Sequence, residues 1–88
     1  MPLDSRRGRG RAAAAKEEYE TALQLAYEVG AYAETPFLIA RLAEVAYRMG
    51  DRTTALATLE EASDAGHRYG VPETRAFVRL LRAHMALD

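Results

Sequence analysis

PFLIARLAEVAYRMGDRTTALATLEEASDAGHRYG, residues 36 to 70, reads as two antiparallel helices joined by one tight turn. Pro36 suits a first helical position, where its missing N–H would lack a partner anyway, and Thr35 is placed to cap that helix. Phe37, Ile39, Leu42, Ala43, Val45, Ala46 and Met49 then recur three and four apart, the spacing of one helix face. Gly50 can leave the helix in the left-handed conformation, and Asp51 can cap the next helix. Ala55, Leu56, Leu59, Ala62 and Ala65 carry a second apolar face, until Gly66 weakens the helix and Gly70-Val71-Pro72 ends it. Small residues on both sides allow close approach, so a thin, tightly apposed pair is expected.

Working outward, residues 12 to 29, AAAAKEEYETALQLAYEV, form a first long helix with Ala15, Tyr19, Ala22, Leu23 and Ala26 on one face, stopped by Gly30. A fourth helix runs from Pro72 to about Leu87. Residues 1 to 11, MPLDSRRGRGR, hold four arginines, two glycines and a proline, and are expected to be a flexible basic segment before a helical domain at 12–88. Four helices with short connections argue for an up-and-down antiparallel arrangement.

Eighty-eight residues make one domain with a modest core. A formal net charge of −1 gives no global attraction to nucleic acid or an anionic membrane. The absence of cysteine excludes disulfides and thiolate metal sites. No apolar run approaches the roughly 18 residues of a membrane span, and the N-terminus lacks a signal-peptide apolar core, so a cytoplasmic location is expected.

The chain also resembles itself. At an offset of 40, Gly30 falls on Gly70 and Phe37 on Phe77, while Gly10 falls on Gly50. Ala15, Glu20, Ala22, Ala43 and Ala46 meet identical residues at the same offset. One complete hairpin at 36–70 is thus preceded by the second helix of one copy and followed by the first helix of another. Leu42-Ala43, Ala46-Tyr47, Gly50-Asp51, Ala55, Leu59 and Ala62 resemble the tetratricopeptide repeat, although the offset of 40 exceeds that motif's usual 34. The longer spacing and the GHRYG run are similar to extended repeats in the C-terminal regions of large bacterial ATP-dependent transcription and signalling regulators. The resemblance implies an all-α fold, a short solenoid of about two repeats. A HEAT-like repeat and a compact four-helix bundle are the alternatives.

The same resemblance implies a concave groove lined by Phe37, Arg41, Glu44, Tyr47 and Arg48, with Phe77, Leu81 and His84 in the next copy. These residues would offer aromatic anchors and arginine clamps to a peptide carboxylate or acidic side chain. The plainer reading is a solvated helix face, because Glu44 lies three and four residues from Arg41 and Arg48 and can bridge both. RRGRGR at 6–11 lacks interleaved aromatics and is followed by Glu17, Glu18 and Glu20, which disfavours a nucleic-acid arm. Arg75, Arg79 and Arg82 read as the polar face of a terminal helix. His67 and His84 sit on different helices without metal-ligand spacing, and neither Ser5 nor Ser63 has a nucleophile's surroundings. No catalytic, metal or cofactor site is expected.

The functional expectation is a protein-interaction module that binds a peptide or helix, self-associates as a homodimer through its exposed ends, or does both. The alternative is a regulatory, ligand-sensing fragment of a larger ATP-dependent regulator.

Overall fold

The computed structural model describes the backbone of residues 3–87 and the side chains from Gly10 to Leu87. The expected flexible segment at 1–11 therefore lies, save for Gly10 and Arg11, outside the described side chains. Helix α1 spans Leu3–Val29, α2 Thr35–Arg48, α3 Arg52–Arg68 and α4 Glu73–Leu87, with a 3-10 turn at Tyr32–Glu34 between α1 and α2. Gly10, matched to the turn glycine Gly50 in the sequence, lies inside α1.

Each connection is closed by the same pair of backbone bonds. At the α2–α3 turn Gly50 N–H donates to Tyr47 O at 3.0 Å and Asp51 N–H to Ala46 O at 2.9 Å, the paired bonds that satisfy a helix's last carbonyls. Gly50 has φ 86°, a conformation that a side chain would strain. Equivalent bonds close the turns at Gly30 and Gly70. Asp51 caps α3 as its position suggests, accepting from Thr54 N–H at 3.1 Å.

Thr35 does not cap α2. Its backbone is already helical (φ −64°, ψ −37°), because the 3-10 turn before it runs straight into the helix. Its hydroxyl instead donates to Tyr32 O at 2.8 Å and is buried. The chain turns at Gly70 as expected, and helix α3 runs through Gly66 to Arg68 and buries it. A Cβ there would stand 2.7 Å from Thr74 Cβ, so Gly66 sets how closely α3 and α4 approach.

The hydrophobic core joins Ile39, Ala40 and Ala43 of α2, Ala55, Leu59, Ala62 and Ala65 of α3, and Val78, Leu81 and Met85 of α4, with Leu23 of α1 against it. Helix α2 is the hub, packing on α1, α3 and α4. Tyr32 stacks on Tyr69 at 5.5 Å and meets Tyr27 at 6.2 Å, which ties the α1–α2 connection to the end of α3.

This arrangement overturns the expected tetratricopeptide-like solenoid of about two repeats, and with it the HEAT-like alternative. The chain is a compact four-helix bundle. Its radius of gyration is 13.6 Å, whereas a compact chain of this length has roughly 12 Å and an unfolded one about 29 Å. The long dimension of 47 Å needs no repeat superhelix, because a 27-residue helix such as α1 is by itself about 40 Å long. The physical reason lies in α2. Its stripe is broad enough to take three neighbours, so the helices gather around it and share one core.

Candidate functional site

Two surfaces carry the chemistry. The first, on α2 and α4, gathers most of the residues singled out in the sequence. The Phe37 and Phe77 rings lie 5.9 Å apart, tilted by 48°. The Arg41 guanidinium sits 5.0 Å from the centre of the Phe77 ring and donates to Glu44 at 3.0 Å. Glu44 also pairs with Arg48 at 3.5 Å. Phe37, Arg41, Glu44, Arg48 and Phe77 thus form one cluster.

The remaining three candidates differ. Leu81 is buried in the core, because it continues the Thr74, Val78 and Met85 stripe of α4, and it cannot line a groove. Tyr47 is half-buried against the core, and His84 is exposed. The cluster keeps a net charge of +1, but both arginines are already engaged: one carboxylate pairs with both, and Arg41 also lies over an aromatic ring. Exposed pairs of this kind contribute about 0.2–1 kcal/mol.

The second surface is a cleft, and it was not foreseen. Helices α1 and α3 both pack on α2 without packing extensively on each other, which leaves a strip of α2 open between them. Ile39, Leu42, Ala46 and the exposed Met49 line this cleft from α2 and its end. Lys16, Glu20, Leu23 and Tyr27 line the α1 side. Asp51, Thr54, Thr58 and Glu61 form the α3 side. The volume is about 520 Å³, within the usual range of small-molecule sites.

The rim is electrically lopsided, with three carboxylates against one lysine. Glu20 and Glu61 hold no ion pair among the described residues. Asp51 is already engaged. The Thr54 hydroxyl, then the Thr54 backbone N–H, hold its carboxyl below the ordinary value of 3.8, and nearby Lys16 adds to the effect. The sequence signal for the cleft was the width of the α2 stripe, which is more than one facing helix covers.

Among the described residues, no three His, Cys, Asp or Glu side chains gather as a metal site requires. Nor is any helix among them long and apolar enough to cross a membrane. Compared with known proteins, the chain matches no family model, no curated protein and no solved structure. The tetratricopeptide resemblance accordingly gains no support from relatives.

Proposed function

We infer that the chain is a ligand-sensing regulatory module and that its ligand is a small amphipathic cation held in the cleft between α1, α2 and α3. The observation that carries this reading is the cleft's make-up, an apolar lining from α1 and α2 beside three exposed carboxylates and one exposed lysine. An apolar body lying on Leu42, Ala46 and Met49 removes surface from water at about 25 cal/mol per Å². Glu20 and Glu61 then face its charge without first giving up a partner. Because α1 and α3 meet chiefly through α2, a ligand wedged between them couples its occupancy to their spacing. That coupling is what a sensor requires. This reading extends the regulatory alternative, in which such a module serves a larger ATP-dependent transcription or signalling regulator.

The peptide-binding reading of the α2–α4 face has less behind it, because both of its arginines already hold Glu44 within the chain. A titration with a hydrophobic aryl-phosphonium ion, set against an aryl-sulfonate of similar size, tests the choice. At about 100-fold its Kd a ligand adds about 2.7 kcal/mol of stability, a rise in Tm of roughly 11–22 °C for a domain of this size. The cation is expected to stabilise and the anion to do little, with the effect lost in Glu20→Lys/Glu61→Lys. Equal responses to the two ions, or none to either, would refute a cation site.

A further inference from the structure

The internal correspondence at an offset of 40 relates α3 to α1 and α2 to α4. The α2–α3 contact is the most extensive in the molecule. Two faces equivalent to its two sides lie open on opposite members of the bundle.

On α2, Pro36, Ala40 and Ala43 are buried, and Tyr47 is half-buried. Forty residues on, α4 presents Ala76, Leu80, Ala83 and Leu87, all exposed, with Leu80 at 55% and Leu87 at 86%. The three intervals of four, three and four place them on one stripe of the helix. On α3, Ala55, Leu59, Ala62 and Ala65 are buried. Their counterparts on α1 are Ala15, Tyr19, Ala22 and Leu25, the first three only half-buried and Leu25 56% exposed. Beside this stripe, Ala22, Leu25 and Val29 of α1 face Phe37 and Leu38 of α2 across an open hollow of about 640 Å³.

We propose that α4 of one copy packs on α1 of the next, head to tail, repeating between molecules the contact that α2 and α3 make within one. Within one chain Ala40 and Ala43 of α2 and Leu59 and Ala62 of α3 are all wholly buried in the shared core. Their counterparts, Leu80 and Ala83 of α4 and Tyr19 and Ala22 of the next copy's α1, are the residues brought together between molecules.

Charge decides against the symmetric dimer that the sequence suggested. Arg75 and Arg79 flank the α4 stripe, as does Arg82, which also pairs with Glu60 of α3 at 3.7 Å, whereas Glu17 and Glu18 lie beside the α1 stripe, and these side chains are all exposed. Joining like ends sets arginine against arginine or glutamate against glutamate. Only α4 against α1 joins opposite charges. A contact between unlike faces leaves one face free on each terminal copy, so it extends into an open array or closes into a ring.

Light scattering on the full chain and two surface variants tests this. Leu80→Glu spoils the α4 face and Leu25→Glu the α1 face; both sites are exposed, and circular dichroism checks that both variants fold. The wild type is expected to exceed its monomer mass of 9.7 kDa as concentration rises. It should fall back as salt goes from about 0.1 M to about 1 M and the screening length drops from about 10 Å to about 3 Å. Each variant alone should stay at the monomer mass. Mixed in equal amounts they should form a dimer of twice that mass and stop there, because each supplies the face the other lacks. A wild type that remains monomeric overturns the proposal, and so does either variant dimerising alone or a mixture that stays monomeric.

Discussion

Gly66 on α3 and Thr74 on α4 touch so closely that a Cβ added to the glycine would lie 2.7 Å from the threonine Cβ. The atom in the way is fixed to the α4 backbone, so no side-chain rotation relieves the clash. Thr74 Oγ1 has no hydrogen-bond partner among the described residues, which leaves this contact to be held by shape alone. An alanine in mid-helix ordinarily gains about 1 kcal/mol over glycine, but overpacking a tight contact costs about 1–3 kcal/mol. Gly66→Ala is therefore expected to lower the denaturation midpoint. A stabilised variant would mean that α3 and α4 stand further apart than described.

The α2–α3 contact makes a similar demand. Ala43 and Ala62 are wholly buried on facing helices, and Ala62→Leu is expected to cost about 1–3 kcal/mol. Arg68→Ala, at an exposed helix end, should stay within about 0.5 kcal/mol. Chemical denaturation of the two variants side by side checks the difference. Indistinguishable midpoints would show that the helices are not apposed at Ala62.

Asp51 makes a pH-dependent contribution whose sign is fixed. Its carboxyl is held below 3.8 in the folded chain, first by the Thr54 hydroxyl and then by the Thr54 backbone N–H. The stabilisation is fully present above the unfolded value and is lost as pH falls from there through the lower folded value. Asp51→Ala should melt below the wild type at neutral pH, and the gap should close in acid beneath about pH 3.8. Thermal melts across that window read it directly. A gap that stayed constant into strong acid would show that the charged cap contributes nothing.

The sequence made the hairpin and its punctuation legible because those features are local. Gly50, Asp51 and the spacing of Ala55, Leu59 and Ala62 need no knowledge of distant residues. The overall architecture was misjudged because periodicity says which face of α2 is apolar without saying how many helices share it. The repeat correspondence suggested a linear array, whereas α2 takes α1, α3 and α4 around one core. For the same reason Leu81 was placed in a groove although it belongs to the α4 core stripe. Phe37, Arg41, Glu44, Arg48 and Phe77 lie on one surface, because helical spacing and the offset of 40 bring them together. The cleft beside Leu42 and Met49 escaped notice, because a gap between α1 and α3 depends on two helices failing to meet.

The cleft is the centre of the functional account, and methyl NMR of the chain titrated with an aryl-phosphonium ion tests it most directly. Binding there should shift the methyl signals of Leu23, Ile39, Leu42 and Met49 together and saturably, while those of Val78 and Met85, in the core beneath α4, stay in place. Shifts centred instead on α4, or spread evenly over the molecule without saturation, would contradict a ligand site between α1, α2 and α3.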